Sequence, residues 1–133
     1  KPGKLSDDER LIMQTHTAMA GEMLHAASER YPSARAFLQL ASDLARHHHE
    51  RYDGTGYPDR KAGTDIPLAA RLVAPCDVYD ALRSWRLYRP GLSHQAALEV
   101  MKQAWQGQFD PALRQCFLRC AGHFEKIFRE QPE

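Results

Sequence analysis

The sequence lacks an excess of charge of either sign. Its 18 lysines and arginines nearly balance 17 aspartates and glutamates, which leaves a formal charge of +1 at pH 7. Proteins that bind duplex nucleic acid through a broad electrostatic field carry a large positive charge. The near-zero net charge therefore disfavours a nucleic-acid-binding helical domain, and we expect any bound anion to be held by a few local side chains.

Cysteine and long apolar runs are also scarce. The three cysteines, Cys76, Cys116 and Cys120, form no CxxC pair, which excludes a disulfide framework and a zinc ribbon and favours a reducing cytoplasm. Cys116 and Cys120 lie four apart on an aromatic-rich helix face, and we expect them to be small core residues. No apolar run approaches the roughly 20 residues of a membrane span and no signal peptide opens the chain, so no membrane contact is expected from this segment.

The chain contains enough apolar sequence for one folded domain. Its 133 residues are 43% hydrophobic and 26% charged, which is typical of a globular protein and too little for two full domains. We therefore expect a single domain over residues 1–133.

The periodicity predicts five helices and no strand. The first begins at a capping box, in which Ser6 and Glu9 each bond the other's backbone N–H, and ends where Tyr31-Pro32 breaks the pattern. Glycine, proline and further capping residues delimit the others. Their expected ranges are 33 to 47–49, capped by Ser33; 67–82, kinked at Pro75; 93–106, capped by Ser93 and ended by Gly107; and 110–129, opened by Asp110-Pro111.

Two of these helices carry apolar stripes of helical period, which we expect to be buried. His16 lies four residues after Ile12 and four before Ala20, so it shares the first stripe and is expected to face inward. Tyr79 and Phe109 are also expected in the core. The stripes comprise Leu11, Ile12, Met19, Ala20, Met23 and Leu24 in the first helix and Ala36, Phe37, Leu40, Ala41 and Leu44 in the second.

The segment from Tyr52 to Thr64 is too rich in turn residues for a regular element, and we expect an ordered loop of about 13 residues. Gly54 and Gly56 allow positive φ, and Pro58 fixes a turn. For Tyr57 two roles stay open, since its ring could stack on a base or close the loop on the helices.

Several side chains suited to metal binding recur in separate elements. Adjacent helical residues point about 100° apart, so His48 and His49 cannot easily grip one ion as an i, i+4 pair would, but they could serve neighbouring metals. The alternative for the histidine run is a solvated helix end that complements the helix dipole. Asp77 is costly to bury among its apolar neighbours without a cation or several donors. Together with His16, these residues favour a metal site over isolated structural roles.

The segment His48–Pro58, HHERYDGTGYP, resembles the signature of the HD-GYP family of metal-dependent phosphohydrolases. The motif is long and specific, and the resemblance covers essentially all 133 residues in order. Outside the motif it runs through Lys1–Leu5, Gly63, Ile66–Pro67, Ala70–Arg71, Asp77–Leu82, Arg86, Tyr88–Arg89 and Phe109–Pro111.

The resemblance implies an all-α, HD-domain-like helical bundle of about five helices with an ordered Gly-Tyr-Pro loop. It also implies two or three divalent ions, of iron or manganese, and hydrolysis of cyclic di-GMP or a related cyclic dinucleotide. The loop is expected beside the site and as a docking surface for a diguanylate-cyclase domain. The residues implied are His16, His48, His49 and Asp77 as ligands; Arg86, Arg89 and Tyr57 for substrate; and Asp53, Gly54, Gly56, Tyr57 and Pro58 in the loop.

The sequence also departs from the family pattern. The His-Asp dyad and the lysine that follows it belong upstream of Lys1, so we expect an N-terminally truncated domain that is inactive alone, with partial or no metal occupancy and with its catalytic residues unknown. The alternative is a degenerate module that binds a cyclic dinucleotide or docks a protein in signalling. Arg60-Lys61 replaces the usual Gly-Leu, and His47 is either a spectator or a competitor of His48.

Overall fold

The computed structural model describes residues 3–85 and 89–131. Over these ranges the chain is all-α, with five α-helices and no β-strand, which confirms the expected fold class. The helices are α1 (Asp7–Arg30), α2 (Arg35–His47), α3 (Leu68–Arg83), α4 (His94–Gln108) and α5 (Arg114–Glu130), and 3₁₀ turns cover Pro32–Ala34, Gly63–Asp65 and Pro111–Leu113. None of the described helices combines the length and the apolar character needed to cross a membrane.

The chain forms two compact units, Lys1–Ala74 and Pro75–Glu133. We call them unit 1 and unit 2 and describe each by itself. Pro75 lies inside α3, at the residue where unit 2 begins. The single domain over residues 1–133 stays a prediction.

In unit 1, α1 begins at the expected capping box. The Ser6 backbone N–H donates to Glu9 Oε2 at 2.8 Å, and the Glu9 N–H donates to Ser6 Oγ at 3.2 Å. Three acidic residues in the first turn also favour the positive end of the helix dipole. The start of α2 differs from the expectation: Ser33 lies within a 3₁₀ turn, and α2 begins after Ala34 with no side-chain cap.

Helices α1 and α2 pack through small residues. Thr17, Gly21 and Ser28 are buried along α1, and Ser42 of α2 donates its hydroxyl to the Gly21 carbonyl at 2.7 Å. A Cβ on Gly21 would lie 2.7 Å from the Arg46 Cβ, so the approach requires glycine. The two helices therefore meet along a stripe of small side chains.

The expectation that the larger apolar stripes are buried in this unit is wrong. Among the described residues the large side chains of both stripes, apart from Leu24 and Leu44, are exposed; they are Leu11, Ile12, Met19 and Met23 on α1 and Phe37 and Leu40 on α2. The physical reason is that the close backbone approach selects the small-residue face, and helical period alone does not say which of two faces packs.

Unit 2 has an aromatic core. Tyr79 and Phe109 are buried, as expected, and Phe117 lies between Trp105 and Phe124, with ring centroids 5.2 Å and 5.1 Å away. The expected cap of α4 is present, since Ser93 Oγ accepts from Ala96 N at 3.2 Å, and Gly107 has φ of 86°. Asp110 Oδ1 accepts from Ala112 N at 2.9 Å, but it caps the 3₁₀ turn, so α5 begins at Arg114 and not at the expected residue 110. Cys116 is exposed and Cys120 half-buried, so the core assignment of Cys116 is wrong, since α5 turns it to the outer face.

Candidate metal centre

Three of the four predicted ligands lie together in unit 1. One ligand nitrogen from each of His16, His48 and His49 lies within 4.8 Å of the other two. His16 is on α1, whereas His48 and His49 occupy the turn that follows the last residue of α2. Because the helix ends at His47, the 100° separation of neighbouring helical side chains does not hold apart the two residues that follow it.

Main-chain hydrogen bonds set the ring orientation of two of these histidines. His48 Nδ1 lies 3.0 Å from the Leu44 carbonyl oxygen and 3.1 Å from that of Ala45, and His16 Nδ1 contacts the Met13 carbonyl oxygen. A carbonyl oxygen can only accept a hydrogen bond, so these contacts assign a proton to Nδ1, and in that neutral tautomer Nε2 is the nitrogen with a free lone pair. Metal-binding histidines are commonly oriented in this way.

The three imidazoles fit a divalent ion. A tetrahedral ion that binds imidazole nitrogen at about 2.0–2.1 Å holds two such ligands about 3.4 Å apart, and one nitrogen of each of the three histidines lies within 4.8 Å of the others. Side-chain rotations that shorten these separations would close the set on one ion. Imidazole ligands suit several transition metals, so the residues identify a metal-binding group and leave the metal open.

His16 is exposed, and His48 and His49 are half-buried. The expectation that His16 faces inward is therefore wrong, because its side chain is not buried. Its ring instead faces the two histidines of the turn, with centroids 6.3 Å from His48 and 5.6 Å from His49. The cluster consequently lies at the surface of unit 1.

The Gly-Tyr-Pro loop folds back onto this cluster. The Tyr57 ring stacks on His49 with centroids 5.1 Å apart and planes 23° apart, and the Tyr57 N–H donates to the His49 carbonyl at 3.3 Å. Gly56 is buried, and a Cβ there would lie 2.4 Å from the Arg51 nitrogen. Pro58 is half-buried and follows a cis peptide bond. These contacts close the loop at Tyr57, and the role of Tyr57 in substrate binding stays a prediction.

The first turn of the loop is held by its own side chains. The Asp53 carboxylate accepts from the Thr55 hydroxyl at 2.6 Å and from the Thr55 N–H at 3.0 Å, and these bonds lower the pKa of Asp53 below its ordinary value of 3.8. Gly54 has φ of 82°. Both residues therefore stabilise the turn.

A second group of side chains fixes the far end of the loop and was missed from the sequence. Arg46 binds Asp59 through two hydrogen bonds of 2.8 and 2.9 Å, which lower the pKa of Asp59. The buried Glu50 carboxylate accepts from the backbone of Asp59 and Lys61. His47 is buried beside Glu50 and Asp59, 3.4 and 3.7 Å from their oxygens, and thus stands in a different group from His48. The one sequence feature that indicated this group is the position of Glu50 between the end of α2 and the glycine-rich loop.

The remaining predicted site residues lie in unit 2 or outside the described ranges. Asp77 is on α3 in unit 2, where it is exposed, contrary to the burial considered from its apolar neighbours. Arg89 is half-buried and donates through Nη2 to the Ala81 carbonyl at 3.0 Å. Arg86 lies outside the described residues. The roles of all three stay predictions.

Comparisons with known proteins are consistent with this picture. The family model described as HD domain matches residues 1–113. A protein named cyclic di-GMP phosphodiesterase from Vibrio cholerae is 42% identical over 127 residues, which are 96% of this chain and 26% of that protein. The cyclic di-GMP phosphodiesterase response regulator RpfG of Xanthomonas campestris is 41% identical over 127 residues, 96% of this chain and 32% of its own.

A relative that is named for a different substrate is also similar. The 3'3'-cGAMP-specific phosphodiesterase 2 of Vibrio cholerae is 38% identical over 134 residues, which cover all of this chain and 24% of that protein. The chain thus spans 24–32% of the length of these curated relatives.

Proposed function

Because the chain belongs to the HD-GYP branch of the HD-domain family, we propose that it is the metal-binding part of a phosphodiesterase that hydrolyses cyclic di-GMP or a related cyclic dinucleotide. The names of the relatives support this substrate class. The proposal concerns the intact parent protein, since this chain spans only part of such enzymes.

The observation that carries the proposal is the histidine cluster. One possible ligand nitrogen of each of His16, His48 and His49 lies within 4.8 Å of the other two, and in His16 and His48 the Nδ1 atom contacts a main-chain carbonyl oxygen. We propose that these residues, with Asp77, hold divalent ions of iron or manganese, two or three in the parent and fewer in this chain. When bound, such ions supply Lewis-acid activation of phosphate and water.

The substrate contacts of the proposal come from basic and aromatic residues. Arg86 and Arg89 would hold phosphate oxygens, because a guanidinium donates two parallel hydrogen bonds that a point charge cannot reproduce. Tyr57 would shape the site by holding His49 from the loop side. A cytoplasmic location belongs to the same proposal.

Metal uptake tests the proposal directly. The variants His48→Ala and His49→Ala should each lose more than about 100-fold in manganese affinity, since removing a ligand costs more than the 10–100-fold typical of an outer-shell change. Equilibrium dialysis with elemental analysis measures the uptake, and circular dichroism measures the helicity, which should stay unchanged. His25→Ala, an exposed histidine on the same helix as His16, is the matched control. Wild-type uptake by the two variants would show that the ligand assignment is wrong.

A second proposal concerns the loop as a docking surface for a diguanylate-cyclase domain. Arg60 is exposed on the loop, whereas the Tyr57 ring is engaged with His49. Arg60→Ala should therefore weaken capture of a purified cyclase domain and leave the metal content unchanged. Equal capture by the variant and the wild type would refute docking through Arg60.

A further inference from the structure

Glu50 is a buried carboxylate that the proposed metal site does not use. The residue is 4% exposed and its side chain is fully buried. A carboxylate in such a place is stable only when its oxygens accept hydrogen bonds. Glu50 Oε1 accepts from the Asp59 N–H at 2.8 Å, and Oε2 accepts from the Lys61 N–H at 3.1 Å. Both oxygens are therefore engaged by the backbone of one short loop segment.

The loop backbone is shaped around this carboxylate. The two donating residues flank Arg60, which has φ of 53°, a left-handed conformation that a residue with a side chain seldom adopts. A left-handed residue between two inward-pointing N–H groups makes a small concavity that binds anions. Because the donors are main-chain groups, Glu50 holds the backbone of this segment directly, whatever the side chains of the two donating residues.

The anchored segment follows closely after the residue that touches the metal cluster. Tyr57 precedes Asp59 by two residues and stacks on His49 at 5.1 Å. Asp59 is also fixed from α2, where both of its carboxylate oxygens face the Arg46 guanidinium. His47, Glu50 and Asp59 could in principle form a metal group of their own. That use is disfavoured because backbone N–H groups and a guanidinium already engage both carboxylates.

We propose that Glu50 is a positioning residue: its buried carboxylate anchors the loop at Asp59 and Lys61, thereby holds Tyr57 against His49, and so orients the His49 imidazole for metal binding. The orientation of His49 for metal binding rests on the proposed function. The anchoring of the loop by Glu50 and the stacking of Tyr57 on His49 do not depend on it.

The test compares Glu50→Gln with the wild-type chain and with Glu29→Gln, the same change at an exposed glutamate of α1. The amide keeps the volume of the carboxylate but turns an NH₂ group toward one of the two N–H donors. In the metal-free protein we expect at least 10-fold faster hydrogen exchange at the amides of Asp59 and Lys61. We also expect the NMR signals of the His49 ring to move to their positions in Tyr57→Leu, which lacks the stacked ring.

With manganese, Glu50→Gln should bind 10- to 100-fold more weakly than the wild type, while Glu29→Gln binds normally. Wild-type exchange rates and His49 signals in Glu50→Gln overturn the anchoring. Altered signals together with wild-type manganese affinity overturn the orienting role. A wild-type chain that binds no manganese refutes only the proposal that these histidines hold an ion without the rest of the parent, and the metal-free measurements still decide the anchoring.

The variant Glu50→Asp, which keeps the charge, allows the test to be made even if Glu50→Gln does not fold. If circular dichroism shows that Glu50→Gln does not fold, Glu50→Asp replaces it, since it retains the carboxylate but shortens its reach by one carbon. We expect Glu50→Asp to move the His49 signals and both amide exchange rates in the same direction by a smaller amount. Unchanged signals and rates in a folded Glu50→Asp overturn the proposal.

Discussion

The close approach of the loop at Gly56 makes a strong prediction for the variant Gly56→Ala. The added Cβ would lie 2.4 Å from the Arg51 nitrogen and 2.6 Å from both the Glu50 Cα and the His49 carbonyl oxygen, whereas ordinary contacts are 3.4–4 Å. All three neighbours are backbone atoms, so no side-chain rotation relieves the overlap. Overpacking typically costs 1–3 kcal/mol, and we expect about 3 kcal/mol here, or a decrease in melting temperature of about 10 °C.

Thermal and urea unfolding followed by circular dichroism measure this cost, and manganese titration reports whether the displaced loop disturbs His49. The matched control is Gly122→Ala in α5, where an added Cβ meets nothing within 4 Å. In a helix that change should stabilise the chain by about 0.5–1 kcal/mol, because alanine has the higher helix propensity. The two substitutions therefore have opposite expected signs. A Gly56→Ala protein with wild-type melting temperature and manganese affinity would falsify the close packing of the loop against the histidine turn.

Three further changes test other parts of unit 1. Arg60→Gly should stabilise the chain by about 0.5–1 kcal/mol in urea unfolding, because glycine removes the cost of the left-handed backbone at the expense of some chain entropy; a loss of stability would contradict this. Asp59→Asn should destabilise at neutral pH. Because Arg46 lowers the pKa of Asp59 below 3.8, the difference from the wild type should persist down to that pH and disappear as the pH falls through the lower pKa of the folded protein; a difference that grows in acid has the wrong sign. Ser6→Ala should cost about 1 kcal/mol in thermal unfolding through loss of the bond to the Glu9 amide, and an unchanged melting temperature would show that the helix start contributes nothing.

The local features of the fold are readable from the sequence because they depend on residues three or four positions apart. The capping box at Ser6, the cap at Ser93, the helix break at Gly107 and the end of α2 at the histidines are such features. The packing face of α1 is not readable in this way. Two faces of that helix satisfy the same period, and the choice between them depends on how closely the backbone of α2 approaches Gly21.

In the candidate site, too, some residues can be predicted from the sequence and others only from the folded chain. Residue type and the family motif are enough to nominate His16, His48 and His49, which the structure brings together. The anchoring role of Glu50 is a property of the folded loop, because its partners are backbone N–H groups nine and eleven residues away. Every residue except proline has a backbone N–H, so residue type does not reveal which of them donate to a carboxylate. The spacing of residue types along the sequence therefore could not identify Glu50.

The Leu44 carbonyl oxygen accepts two hydrogen bonds from His48, one from the backbone and one from the ring. It therefore connects the end of α2 to the orientation of a candidate metal ligand. The oxygen accepts the His48 amide at 3.1 Å, which closes the final turn of α2, and it also accepts the Nδ1 proton of the same residue at 3.0 Å. Fraying of that turn would release the imidazole to exchange its proton between the two nitrogens. An ion bound at Nε2 would in turn favour the closed turn, so metal binding and fraying of the helix end are linked equilibria.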